Sequence, residues 1–468
     1  MRAQFTRRSF LGASAGSTVA AGLARLYPAV GAGSPSRLPG PMTRIRKIYL
    51  AKPVPSWPKP NLDVPGEVQR IEKILADLAG RMEGVRLEGG DLFRVPGDVP
   101  ATLEGLGNPD GFLVFNLTST VGEHLRRVAA LGEPTVLFSQ PYSGHDWSAV
   151  PGLRKGGLKA VCVSTSDYNE IPQACRLIRT THLMRHTRVL YVNVAPYPEK
   201  SAAALKERLG VEVVSVGPDR INAAYEAVGS TEAAEEAREW MAEALRIVEP
   251  PQSDITKSGR LYLALRRMME EEQAAAVTIN CLGMFAAKQL PAYPCLAFSK
   301  LNDQGLVGVC EADMDSTITQ LLFEYAFGVP GFVSDPVIDT SNNTVIHAHC
   351  VSATRMDGPK GERAPYIIRT HLEDNAGVAL QVKMRVGQVI TVAKLVNLDT
   401  MLLSTGTITD NPESDRGCRT KITTKVADAR KMLNGYTGGL HRVIFYGDRV
   451  NAIRDLAALM QFNVVDEC

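Results

Sequence analysis

The 468-residue chain is 45% apolar and 22% charged, with 40 Gly and 28 Pro, which excludes a collagen-like repeat, a disordered tail and a small disulfide scaffold. Its 52 basic residues are balanced by 50 acidic ones, so it carries no basic field of the kind nucleic-acid binders use. At about 100–200 residues per domain, the length predicts roughly two to four domains. The 8 cysteines form no C-x-x-C pair and no Cys/His run with zinc-finger spacing, so local spacing predicts no structural zinc.

The chain opens with Thr6-Arg7-Arg8-Ser9-Phe10-Leu11, then a small, weakly apolar stretch from Gly12 to Leu26, and small residues at Val30 and Ala32 where a peptidase could cut. This resembles a bacterial twin-arginine export signal and assigns residues 1–40 as a signal segment, with a periplasmic or extracellular destination. Arginines 2, 7, 8, 25 and 37 fall in it against no acid, so the remainder is mildly acidic. No later run is apolar for the roughly 18 residues a membrane span needs. Folding in a reducing compartment before export makes disulfides unexpected.

From residue 44, short β-branched runs alternate with longer helical patterns. Strands are predicted over 45–50, 112–115, 135–138, 160–163, 189–194, 211–216 and 276–279. Each is nearly continuously apolar, as where both faces of a sheet are covered. Helical spacing is predicted over 66–80, 122–131, 201–209, 232–248 and 259–273, the fourth through Arg238, Trp240, Met241, Leu245 and Val248. Strand–helix alternation predicts parallel sheets with right-handed crossovers. It runs too long for one sheet, so two doubly wound, Rossmann-like domains are expected, at residues 41–165 and 166–340.

After residue 340 the texture becomes β-rich. Val378, Leu380, Val382, Met384 and Val386 alternate with polar or small residues, and Gly387-Gln388 turns the chain into Val389, Thr391, Ala393 and Leu395. This predicts an antiparallel meander. Further strands at 405–409 and 421–426 and a closing helix over 451–462 complete a β-rich, barrel-like domain at residues 341–468.

Chemistry concentrates between Cys310 and His349. Glu311 follows the apolar run 306–309, a helical run covers 314–326, and Asp335 ends the next apolar run. That order predicts a βαβ unit whose two carboxylates emerge on one sheet edge, where ligands of open α/β sheets gather. Paired carboxylates persist when a cation lies between them or one holds a proton. Imidazoles follow at His347, His349, His371 and His441. An oxygen-rich site with an added imidazole favours Mn²⁺ over Mg²⁺. Glu311 and Asp335 could equally be a helix cap and a turn residue. His347 and His349, two apart, share one face of a strand.

Several segments, in order, resemble the L-fucose/L-arabinose isomerase superfamily. They are Thr278-Ile279-Asn280-Cys281-Leu282, Tyr293-Pro294-Cys295-Leu296-Ala297, Cys310-Glu311-Ala312-Asp313, Gly328-Val329-Pro330 through Ser334-Asp335-Pro336, Asn343-Thr344-Val345 through His349-Cys350, and Gly439-Leu440-His441. The resemblance implies two Rossmann-like domains with a C-terminal β-rich domain, and an enzyme that interconverts aldoses and ketoses with Mn²⁺ or another divalent cation. It implies Glu311 and Asp335 as carboxylate ligands and as the acid and base, His441 as the late histidine ligand, and His349 as an additional one. Gln140, His145 and His371 are looser matches on the substrate side. It implies a small carbohydrate as the partner and a homo-oligomer as the assembly. In such a reaction a proton leaves one carbon and another reaches its neighbour, and the intervening enediolate needs positive charge beside its oxygens. Another metal-assisted carbohydrate enzyme on the same scaffold (a lyase, epimerase or hydrolase) and an exported sugar-binding protein without turnover are the alternatives.

Overall fold

The computed structural model describes residues 40–468, so the export-like segment, apart from Gly40, lies outside the described residues. The first sheet holds β1 (Thr43–Leu50), β2 (Val85–Phe93), β3 (Gly111–Asn116), β4 (Thr135–Ser139) and β5 (Ala160–Ser164), all parallel, in the order β2-β1-β3-β4-β5. β3 and β4 are buried along their whole length, as their unbroken apolar runs require. β2 escapes the apolar pattern because it is an edge strand with Gly89-Gly90 at its centre. Ion pairs hold it to its neighbour instead, Arg44–Glu88 and Arg46–Asp91, each at 2.8 Å.

The second sheet is also parallel, in the order β10-β9-β6-β7, with β6 (Arg188–Val192), β7 (Glu212–Val216), β9 (Ala276–Ile279) and β10 (Val307–Val309). The helix expected over 232–248 stops at Glu243. Beyond it, the amides of Leu245 and Val248 donate to the carbonyls of Tyr366 at 2.9 Å and Ile368 at 3.1 Å. The last turn of the helical pattern is therefore the short strand β8 (Arg246–Ile247). It pairs with β13 (Tyr366–Arg369), which is antiparallel to β14 (Ala379–Val382).

The remaining strands form a closed antiparallel barrel. They are β11 (Phe332–Asp339), β12 (Thr344–His349), β15 (Val389–Val396), β16 (Thr400–Asp410), β17 (Thr420–Val426) and β18 (Arg442–Tyr446), in the order β15-β18-β11-β12-β17-β16, with β16 returning to β15. Closure removes the free edges an open sheet would expose. β19 (Asn463–Asp466) adds to β16 in parallel. Phe332, Met384, Ile390, Ile408, Ile422 and Tyr446 are buried in one apolar cluster here. The barrel begins at Phe332, upstream of residue 341. The expected meander does not form, because β14 joins β13 while β15 pairs with β16 and β18.

Two helices, Ile171–Met184 and Met314–Phe327, are buried nearly throughout. They share an apolar cluster with Ile45, Phe115, Val189, Val309, Phe445 and Leu459, which ties both parallel sheets to the barrel. Among the described residues, no helix is long and apolar enough to cross a membrane.

Candidate metal centre

Glu311 and Asp335 do not belong to one βαβ unit. β10, before Glu311, lies in the second parallel sheet, whereas Asp335 lies in β11 of the barrel, because the helix between them crosses from one to the other. The carboxylates meet through packing. The C-terminal edge of the parallel sheet delivers Glu311 to the end of the barrel that carries Asp335, His349 and His441.

The barrel register explains its share. Ser334 pairs with Arg442 across β11 and β18, so the next step of the ladder sets Asp335 opposite His441. On the other side Asp335 pairs with Ala348, next to His349 at the end of β12. The approach to β18 needs Gly438, at φ 73°, where a Cβ would stand 2.6 Å from Val396 Cγ1. Glu311 and Ala312 are held at φ 63° and 54°, an uncommon left-handed pair for non-glycine residues. The turn is pinned by Ala312 N donating to Ile279 O at 2.9 Å and Asp313 N to Cys310 O at 3.2 Å.

Ligand atoms of Glu311, His349 and His441 lie within 4.8 Å of one another. His349 Nε2 is 3.5 Å from Glu311 Oε1, and His441 Nε2 is 3.6 Å from Glu311 Oε2 and 3.3 Å from Asp335 Oδ1. Both imidazoles are buried, while the Glu311 and Asp335 side chains are 37% and 34% exposed, so the cluster opens to one side. Among the described residues, His349 Nε2 is a buried nitrogen without a hydrogen-bond partner.

Each imidazole is oriented from behind. His441 Nδ1 and Asp313 Oδ2 are 2.7 Å apart, so Nδ1–H donates to the carboxylate and the Nε2 lone pair faces the cluster. His349 Nδ1 lies 3.4 Å from the Cys350 sulfur, which leaves its Nε2 facing Glu311. Burial opposes charge on His441, but Asp313 and Asp335 overcome it and raise its pKa to about 9. Burial likewise opposes charge on His349, and Cys350 with Glu311 raises it well above the ordinary value. Burial also works against the Asp313 carboxylate, yet His441, Lys394 and Ser316 hold its pKa well below the usual range. An enclosure that pulls protons onto two imidazoles also attracts a divalent cation in their place. Two Nε2 atoms and two carboxylates suit Mn²⁺ and its first-row neighbours.

His347, by contrast, is a core residue. Its Nδ1 lies 3.0 Å from Ser334 Oγ and its Nε2 3.2 Å from Thr424 Oγ1, and burial lowers its pKa to about 3. His371 stacks on Tyr293 with ring centroids 4.7 Å apart, and its imidazole faces the Cys350 sulfur. Gln140 and His145 make their contacts elsewhere. Gln140 accepts from Arg70 and Tyr168, and His145 packs on Trp57 at 5.2 Å, all beside the first sheet.

Two residues at the centre were not singled out from sequence. Asp313 caps the helix Met314–Phe327, accepting from Ser316 N at 3.0 Å, and an Asp three positions before a Ser at the head of an apolar run is an N-cap signal. Lys394, the one charge in the apolar strand β15, is 96% buried with Nζ 3.6 Å from Asp313 Oδ2. The cysteines form a group that local spacing does not show. All eight are free, but Cys295, Cys310 and Cys350, from distant segments, offer sulfurs within 4.8 Å of one another. Local spacing does not reveal a cluster assembled by the fold.

The chain is similar to sulfoquinovose isomerases of Priestia aryabhattai and Priestia megaterium. It is 25% identical to each over 215 residues, covering 44% of this chain and 47% of the isomerase. It thus spans about half the length of the curated relatives it matches. No family model matches it.

Proposed function

We propose that this protein is a divalent-metal-dependent aldose–ketose isomerase acting on a carbohydrate through an enediolate. The observation that carries the reading is the convergence of Glu311, His349 and His441 beside Asp335. The similarity to sulfoquinovose isomerases supports it.

Glu311, Asp335, His349 Nε2 and His441 Nε2 would hold the cation, Mn²⁺ or a related ion. When bound, such an ion supplies positive charge beside two adjacent sugar oxygens. Glu311 and Asp335, the accessible acids of the cluster, exchange the protons: one, as carboxylate, removes the proton from the carbon bearing the hydroxyl, the other, protonated, gives one to the former carbonyl carbon, and the hydroxyl proton passes to the former carbonyl oxygen. Asp313 keeps His441 in the tautomer whose lone pair faces the cluster. Export of the chain by the twin-arginine route is part of the same proposal. It is tested by cell fractionation of the full chain against the Arg7→Lys, Arg8→Lys double variant.

The activity test incubates purified protein with a panel of aldoses, sulfoquinovose included, in EDTA or in added Mn²⁺, in D₂O. Metal-dependent ketose formation with deuterium at the reacting carbon is expected, falling by about 10²–10⁴-fold in Glu311→Gln. Turnover unaffected by EDTA, or metal binding without isomerisation of any sugar, overturns the reading.

A further inference from the structure

Four cysteines gather behind the candidate metal centre. Cys281 opens the helix Cys281–Ala286 after β9, Cys295 opens the helix Cys295–Asp303, Cys310 follows β10, and Cys350 follows β12. All four are buried, in one apolar cluster with Met284, Leu290 and Val351. Cys350 Sγ lies 3.6 Å from Cys295 Sγ and 3.9 Å from Cys310 Sγ, and Cys281 lies against Cys310.

These separations are far from the roughly 2.05 Å of a disulfide. The 3.6 Å and 3.9 Å separations match another geometry, in which Cys295, Cys310 and Cys350 form one face, while Cys281, against Cys310 but outside their mutual 4.8 Å set, is the fourth thiol. A tetrahedron with metal–sulfur bonds of about 2.3 Å has sulfur–sulfur edges of about 3.8 Å. The thiols come from four separate loop ends, with no covalent tie among them, and converge in a place closed to solvent. Closed all-sulfur sets of this kind select soft ions, whereas the neighbouring carboxylate–imidazole cluster is open and oxygen-rich.

We propose that Cys295, Cys310 and Cys350, completed by Cys281 moving in from its contact with Cys310, form a closed structural site for one soft ion of the Zn²⁺ class, distinct from the centre at Glu311. The two sites share their chain segments. Cys310 immediately precedes Glu311 and Cys350 immediately follows His349, so an ion held by the sulfurs clamps both segments to one point. The Cys350 sulfur, 3.4 Å from His349 Nδ1, then anchors the back of that imidazole.

The test uses the intact protein expressed in medium supplemented with zinc or with cobalt. After dialysis against EDTA, elemental analysis is expected to find about one equivalent of zinc per chain. The cobalt protein should show a thiolate-to-metal charge-transfer band. The Glu311→Gln variant keeps the band and the retained equivalent, which separates this site from the proposed isomerase centre. The Cys295→Ser variant loses both, and should it fail to fold, the cobalt spectrum of the unsubstituted chain decides. Two results overturn the proposal: no retained soft metal with no charge-transfer band, or a disulfide among the four cysteines in the non-reduced, denatured protein.

Discussion

Asp313 does two jobs with one carboxylate: it caps the helix Met314–Phe327 through Ser316, and it accepts the Nδ1 proton of His441, 128 residues further on, at 2.7 Å. Asn is as good a cap but a weaker acceptor for an imidazole, so Asp313→Asn separates the two roles. Cation affinity and turnover are expected to fall by about 10–100-fold, the cap is kept, and stability falls only by what the buried Lys394 loses with its carboxylate. Asp313→Ala loses the cap as well, costing about 1 kcal/mol more. Titration with Mn²⁺ and urea unfolding of both variants check this.

Glu311 holds a left-handed backbone that glycine would adopt without strain. Both Glu311→Gly and Glu311→Gln remove the carboxylate charge and should lower turnover by about 10²–10⁴-fold. Only the glycine variant relieves the backbone, so it is expected to be more stable than the glutamine variant by about 1 kcal/mol. Equal unfolding free energies would count against strain at this position.

Arg442 is fully buried and forms a two-pronged pair with Glu467, at 2.9 Å from Nε and 2.7 Å from Nη2, while Nη1 and Nη2 also donate to the carbonyls of His441 and Thr437. The pair thereby fastens the turn that presents His441. Glu467→Ala leaves an uncompensated buried charge and is expected to cost about 3–5 kcal/mol. Where the variant is still folded, Mn²⁺ affinity should fall as well, measured by calorimetry beside the unfolding curves.

Asp303 sets a pH dependence away from the metal centre. Burial pushes its pKa up to about 6, although it accepts from Thr354 N at 2.6 Å and Arg355 N at 2.7 Å. Its unfolded value is about 3.9. The native state therefore binds this proton more tightly, and the stabilisation is fully present below about pH 4 and lost as pH rises through 6. The loss amounts to about 3 kcal/mol. Asp303→Asn is expected to flatten that part of the stability–pH curve, and the difference between the two proteins isolates Asp303 from Asp455, which burial also raises to about 6.

The parallel strands were legible because β3, β4 and β9 are nearly continuous apolar runs, buried on both faces. β2 was not, since polar pairs rather than apolar residues hold an edge. Leu245 and Val248 continue a helical period yet sit in and beside a strand, because the amides there find carbonyls of Tyr366 and Ile368, more than a hundred residues away. The choice of Glu311, Asp335, His349 and His441 came from residue types and resemblance, and the fold brings these four together. Asp313 and Lys394 stayed hidden because each has a local explanation, as a cap or as a strand residue, that needs no partner.

The order of apolar runs and turns alone determined that this chain builds parallel sheets followed by a β-rich end, since burial and backbone hydrogen bonding are satisfied locally by that pattern. Barrel closure, the pairing of β14 with β13, the convergence of Glu311 with His441 and the gathering of four distant thiols were decided only in three dimensions. Each depends on contacts between segments whose separation along the chain carries no periodic signal, and on which loop ends the packing of the helix Met314–Phe327 brings to the same edge.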